Sequence, residues 1–223
     1  MTSSLITLAT IGAVQLLAVM SPGPSFLITA QTAVARSRAD GVKVALGLGA
    51  GSIVWAAAAL LGLNVLFHQV HWVFVAMKVA GALFLIWIAY QIFRHAADPI
   101  ALEATQKGNG DSADGKDGGD ARRAQHPLIR GFLTQIANPK VVVFFGSIFV
   151  AMLPSEVPPW MIVALLVIVT VNEVVWYSLV SLFFSAAPVR SFYIAAKRWI
   201  DRVTGVFLGV LGLRLLWRAG DAG

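Results

Sequence analysis

The apolar residues of this chain come in long blocks rather than at helical or strand spacing. Six blocks stand out, at about 5–35, 43–67, 72–93, 130–153, 158–185 and 200–218. Crossing a hydrocarbon core of ~30 Å takes about 20 helical residues, and each block is long enough. The pattern predicts an all-α integral membrane protein with six transmembrane helices. The first block carries no Asp, Glu, Lys or Arg from Met1 to Ala35. From Leu5 to Ala35 it would be roughly 46 Å long at ~1.5 Å per residue, too long for one straight span. It also contains its own interruption, Ser21-Pro22-Gly23-Pro24, and Asn138-Pro139-Lys140 interrupts the fourth block. Lipid cannot satisfy free backbone groups, so broken backbone at membrane depth persists only where protein or a polar cavity supplies partners. Paired interruptions in two halves of a chain point to a transport site.

Lys and Arg set the orientation. The first connection holds Arg36, Arg38 and Lys43, the third Arg94, Lys107, Lys116, Arg122, Arg123 and Arg130, and the fifth Arg190, Lys197, Arg198 and Arg202. The second, from Asn64 to His71, has none, and the fourth, Pro154 to Pro159, has only Glu156. The odd-numbered connections are therefore expected in the cytoplasm, with both termini outside. Between Lys107 and Asp120 the third connection is rich in Gly and Asp and has no apolar face to bury, which predicts a disordered linker. The expected division is 1–93, a first three-helix repeat; 94–129, a cytoplasmic linker; and 130–223, a second three-helix repeat. An odd number of spans per half inverts the second repeat relative to the first. Lys78-Val79-Ala80-Gly81 aligns with Arg202-Val203-Thr204-Gly205, and the same register sets Arg94 against Arg218, a weak internal similarity.

Composition agrees with this picture. Of 223 residues, 58% are hydrophobic and 13% charged, against about a quarter charged in soluble domains. The mean hydropathy is +0.78. Absence of cysteine excludes disulfides, thiol catalysis and Cys-based metal sites. The net charge of +6 does not indicate nucleic acid, because the basic residues lie at the ends of apolar blocks. The N-terminus lacks the basic region of a cleavable signal. No zinc-peptidase, Gly-x-Ser-x-Gly or phosphate-loop motif is present, so an enzyme is not expected, and no cofactor is called for.

Candidate chemistry centres on the two breaks. Proline suits the first position of a helix, and Ser21, Gly23 and Asn138 suit the position before it. Each break can end one half-helix and start another, whose N-terminus presents free N–H groups and partial positive charge to an anion. Helix rise places both breaks near mid-bilayer, about 20 Å from Arg36 and about 12 Å from Arg130. Six of the eleven acidic residues lie between Asp98 and Asp120, and Asp40, Glu156, Asp201 and Asp221 fall in connections or at ends. Glu173 alone is expected deep within a span, where an ionisable group costs at least ~2.5 kcal/mol and implies a partner or a function. Asn172 adds hydrogen-bonding capacity beside it. Lys140 either pairs with Glu173 or helps hold a substrate carboxylate. Trp176, one turn on, can share the face of Glu173 and meet an ammonium group as a cation–π partner. Gly47 with Gly51, and Gly205 with Gly209, allow close helix approach within one subunit or between two.

Ser21-Pro22-Gly23-Pro24, with Arg38-Ala39-Asp40-Gly41 and Gly47-Leu48-Gly49, resembles the start of the LysE/RhtB exporters. Gly131-Phe132 leading to Asn138-Pro139-Lys140 and a Phe-rich run resembles their fourth span, and Glu173-Val-Val-Trp176-Tyr177 an element of their fifth. The resemblance implies an inner-membrane exporter of amino acids or their derivatives, driven by an ion gradient and homodimeric. Ser25 stands where the family often has an amide or acid, and Glu173 where Asp is commoner, so the resemblance leaves the substrate open. The expected site is Ser21, Pro22, Gly23, Pro24, Ser25, Asn138, Pro139, Lys140, Asn172, Glu173 and Trp176, working by proton antiport. The alternatives are a metal-cation exporter of the same superfamily, which one deep acid and no Cys disfavour, and a non-transporting scaffold.

Overall fold

The computed structural model describes residues 2–69, 71–98, 126–154, 156–184 and 186–220. The Gly/Asp-rich stretch from Lys107 to Asp120 lies outside the described residues. Regular structure among those described is entirely α-helical: α1 (Thr2–Met20), α2 (Pro24–Ala35), α3 (Arg38–Gln69), α4 (His71–Arg94), α5 (Pro127–Ile136), α6 (Pro139–Met152), α7 (Pro159–Phe183) and α8 (Ala187–Gly220).

Among the described residues, two unbroken helices contain stretches long and apolar enough to cross a membrane, Arg38–Gly62 in α3 and Pro159–Phe183. Two more qualify if each bent pair, α1–α2 and α5–α6, is taken as one span. The outer surface is apolar. On α7, Val163, Val167, Val171 and Val175 follow one another at four-residue spacing and are 61%, 55%, 51% and 50% exposed, a face suited to lipid and not to water.

Both predicted breaks are present. The axes of α1 and α2 differ by 56°, and those of α5 and α6 by 57°. Gly23 is extended (φ −150°, ψ −168°) and Pro24 opens α2, as expected because a proline ring pushes the preceding residue out of the helical region. Asn138 is also extended (φ −84°, ψ 105°), and Pro139 opens α6.

The broken end of α1 leaves carbonyls with no helical partner, and side chains from later in the chain fill the need. Lys140 Nζ donates to the Ala18 and Ser21 carbonyls at 2.9 and 3.3 Å. Tyr193 OH donates to Met20 at 2.7 Å; Thr204 Oγ1 adds a second donor, at 3.4 Å, to the Leu17 carbonyl, which already accepts from the Ser21 N–H at 3.2 Å. The first break is thereby tied to α6 and α8.

The Gly47–Gly51 pair acts within the chain; of the second expected pair Gly205 does so, whereas a Cβ on Gly209 would make only ordinary contact, 3.6 Å from Ala89 Cβ. A Cβ on Gly131 would fall on the Val44 carbonyl, and one on Gly47 on the Leu128 carbonyl. One on Gly51 would come within 2.7 Å of Gln135 Cβ. Helices α3 and α5 therefore cross backbone against backbone. Gly205 and Gly212 serve likewise between α8 and α4, where a Cβ would come within 2.9 Å of the Ala89 and Ala82 carbonyls respectively.

One sequence boundary was too short. Helix α8 begins at Ala187 rather than near residue 200, so the basic fifth connection forms its first turns. Tyr193, Lys197, Asp201 and Thr204 are all buried, and their spacing of four, four and three residues puts them on one helical face. Burial of that face explains why the helix extends so far.

Candidate functional site

A cavity of about 30 Å³ lies where the two breaks approach each other, room for about two waters. Its wall includes Gly23 and Ser25 from the first break, Asn138 and Lys140 from the second, and Glu173 and Tyr177 from α7. Gln15 and Gln135 complete the polar lining, and Phe144 and Phe145 supply apolar surface. The cavity draws walls from two buried clusters, one around Phe145 and Leu165, the other around Phe26 and Tyr193.

The polar lining forms one hydrogen-bonded network. Ser25 Oγ donates to Gln135 Oε1 at 2.6 Å and accepts from Asn138 Nδ2 at 3.0 Å. Gln135 Nε2 donates to Ser52 Oγ at 2.7 Å and to Glu173 Oε1 at 3.1 Å. Both hydrogens of the Gln135 amide and its oxygen are thus used, which joins α2, α3, α5 and α7 through one side chain. Glu173 is 3% exposed, and its second oxygen, Oε2, is buried with no hydrogen-bond partner. An unpaired buried carboxylate oxygen is costly, and a cationic donor arriving there would relieve the cost.

The two helix starts differ. At α6, Asn138 Oδ1 accepts from the Lys140 N–H at 3.1 Å, and the Asn138 carbonyl accepts from the Val141 N–H at 3.1 Å. Its first donors are occupied. At α2, Gly23 has no side chain to cap with, and the first bond of the helix is Leu27 N–H to the Gly23 carbonyl at 3.0 Å. The N–H groups of Ser25 and Phe26 precede that bond and have no partner within the helix, as the geometry of a helix start requires. A Cβ built on Gly23 meets nothing within 4 Å, so the approach is open. Of these two helix starts, that of α2 lacks a side-chain cap and that of α6 has one.

The other residues singled out in the sequence are placed as follows. Ser21 is buried and contributes its carbonyl to Lys140. Pro22 is half-buried; Pro24 and Pro139 are exposed and act as helix starters. Lys140 does not pair with Glu173: its Nζ donates to the Ala18 and Ser21 carbonyls. Its ammonium goes instead to the bare end of α1, where helix carbonyls present partial negative charge. Asn172 lies behind the wall, donating to Gln15 Oε1 at 2.6 Å and to the Gly12 carbonyl at 3.0 Å. Trp176 is not among the lining residues; its ring lies 6.3 Å from that of Tyr193. Tyr177, four residues after Glu173, takes the place expected for Trp176. Asp201, expected in a connection, is a second deeply buried acid at 4% exposure.

Sequence reasoning missed Gln15, Ser52, Gln135 and Tyr177. The available signal was an amide inside each broken segment, Gln15 before the first break and Gln135 before the second. Among the described residues no three of His, Cys, Asp and Glu come together as a metal would require.

Apolar-faced helices, two of them broken over a buried polar cavity, define a helical membrane protein with an internal polar site. The chain belongs to the LysE type translocator family, whose model matches residues 16–219. It is 32% identical over 210 residues to the threonine efflux protein of Escherichia coli (strain K12), covering 93% of this chain and 96% of that protein. Against the threonine efflux protein of Salmonella typhi the identity is 31% over 217 residues, with the same coverage. The uncharacterized membrane protein YahN of Escherichia coli (strain K12) is 27% identical over 205 residues, covering 88% of this chain and 83% of that protein. No solved structure matches.

Proposed function

We propose that the protein exports a small zwitterionic amino acid, of the threonine class, from the cytoplasm by proton antiport. The observation that carries the reading is the pairing of opposites across the cavity. Glu173 Oε2 is buried and unpartnered, and the uncapped start of α2 opens onto the same space at Gly23 and Ser25. An α-ammonium group suits the first and an α-carboxylate the second. The efflux relatives support the direction and the substrate class.

In this mechanism the substrate carboxylate takes the Ser25 and Phe26 N–H groups, and its ammonium takes Glu173 Oε2. Gln135 fixes Oε1, so one oxygen serves both ammonium and proton, and their exclusion of each other is antiport. Lys140 and Asn138 hold the two breaks in register. A cavity of about 30 Å³ is too small for an amino acid, so loading requires the halves to move apart.

The arrangement that goes with this is six spans in two inverted repeats, 1–93 and 130–223, joined by a cytoplasmic linker over 94–129, with the C-terminus outside. It places the chain in the inner membrane, where it can form a homodimer. The near-equal bends, 56° and 57°, at corresponding breaks support the repeat, and rocking of one half against the other would give alternating access.

The test is release from cells loaded with dipeptides, with and without the protein. Faster appearance of threonine or a similar small zwitterion outside the cells is expected. Equal release of every amino acid in the two strains would refute the reading.

A further inference from the structure

With the ammonium of an amino acid at Glu173 and its carboxylate at the start of α2, its side chain lies along the rest of the cavity wall. Ala18 and Val19 of α1 and Val141, Phe144 and Phe145 of α6 make that part apolar. One polar group interrupts it. Gln15 lines the cavity from the same face of α1 as Ala18 and Val19, three and four residues before them. The other polar lining groups are committed elsewhere. Gln135 and Asn138 are linked through Ser25, and Lys140 holds the end of α1. Tyr177 is within side-chain hydrogen-bonding reach of Ser25.

Gln15 is 1% exposed, and a chain of bonds fixes which way its amide faces. The Gly12 carbonyl can only accept, so Asn172 presents Nδ2 to it, at 3.0 Å. The same Nδ2 donates to Gln15 Oε1 at 2.6 Å. Gln15 Oε1 is therefore turned to Asn172, and Nε2 is turned away. An amide nitrogen carries two hydrogens to donate. Among the described residues the acceptor for Gln15 Nε2 is the Val169 carbonyl, at 3.5 Å, the outer limit of a hydrogen bond. A buried amide with donor capacity to spare, set in an apolar wall, calls for an acceptor. Asn172 immediately precedes Glu173 on α7, so the same bond sets Gln15 relative to the carboxylate that takes the ammonium group.

We propose that Gln15 determines specificity: its Nε2 donates to a hydroxyl oxygen on the substrate side chain, while the apolar wall takes the carbon atoms. Asn172 is the positioning residue that holds the amide in its donating orientation. This rests on the export reading above and adds the group that tells threonine from valine, which has the same shape with a methyl in place of the hydroxyl. Valine leaves Nε2 without a good acceptor, which gives threonine a preference of about tenfold or more.

The experiment uses the full-length protein in liposomes and compares counterflow of labelled L-threonine with that of labelled L-valine at equal concentration. The wild type is expected to favour threonine by about tenfold or more. In Gln15→Leu the ratio should fall close to one, because threonine flux drops and valine flux rises. Asn172→Leu keeps Gln15 but frees its amide, and should lower the ratio by a smaller factor. If Gln15→Leu does not reach the membrane, Asn172→Leu is read in its place. A wild-type ratio in the variant overturns the proposal, whether both fluxes persist or fall together, the latter being the mark of a purely structural role. A wild-type protein that carries threonine and valine equally overturns the proposal and leaves the export reading standing. A wild-type protein that carries neither overturns that reading, and this proposal with it.

Discussion

Gln135→Leu is the most demanding test of the network, because it keeps the side-chain size and removes every polar atom. The wild-type amide accepts from Ser25 at 2.6 Å and donates to Ser52 at 2.7 Å and to Glu173 at 3.1 Å. A neutral hydrogen bond contributes about 0.5–1.5 kcal/mol net, and one to a charged group about 1.5–3 kcal/mol. The three together come to about 2.5–6 kcal/mol by the same values. Asn138 still donates to Ser25 in the variant, which favours the lower half, about 3 kcal/mol on this scale. The variant should therefore melt earlier in detergent, read by thermal aggregation or size exclusion. The part that falls on Glu173, about 1.5–3 kcal/mol, should lower transport by about 10–100-fold, at 1.36 kcal/mol per decade. Labelled threonine efflux per molecule of membrane-inserted protein measures it. Ser52→Ala, which loses one neutral bond, should show much the smaller effect. Wild-type melting together with wild-type efflux in Gln135→Leu would refute the idea that the network holds the carboxylate.

Two glycines should behave in opposite ways. Gly23→Ala meets open space, so the protein should assemble normally but bind substrate more weakly, seen as a raised KM for efflux; Gly131→Ala forces a methyl onto the Val44 carbonyl and should reduce the amount of folded protein recovered, at a cost of about 1–3 kcal/mol or more. Tyr193→Phe keeps the ring stacked on Phe26, at 4.8 Å between centroids, but strips the Met20 carbonyl of its donor. It should lower thermal stability by about 1 kcal/mol, and an unchanged melting temperature would show that Met20 needs no such partner.

The features legible in the sequence were those with strong local chemistry. Pro24 and Pro139 cannot continue a preceding helix, so both breaks could be read directly. Glu173 stood out because an acid in an apolar block is expensive, and the spacing of Gly47 and Gly51 marked a close helix approach without saying that α5 is the partner. Illegible features depended on tertiary partners. Gln135 and Ser52 are uncharged and cheap enough to occur anywhere, and only the α3–α5 crossing makes them a hub. Lys140 was expected near Glu173, but a helix broken at Met20 leaves carbonyls that compete for the ammonium, a demand that exists only after folding. Asp201 read as a surface residue because it lies in a basic stretch; the same stretch, wound into α8, turns it inward with Lys197. Trp176 and Tyr177 are adjacent in sequence, and only the rotation of α7 decides which of them faces the cavity.

The central claim is that Glu173 receives the substrate's ammonium group. Glu173→Gln keeps the shape and an acceptor for Gln135 but removes the charge, and counterflow of labelled threonine in liposomes reads binding and translocation without any imposed gradient. The account predicts that the variant inserts at wild-type levels and shows no counterflow. Counterflow at the wild-type rate would contradict it.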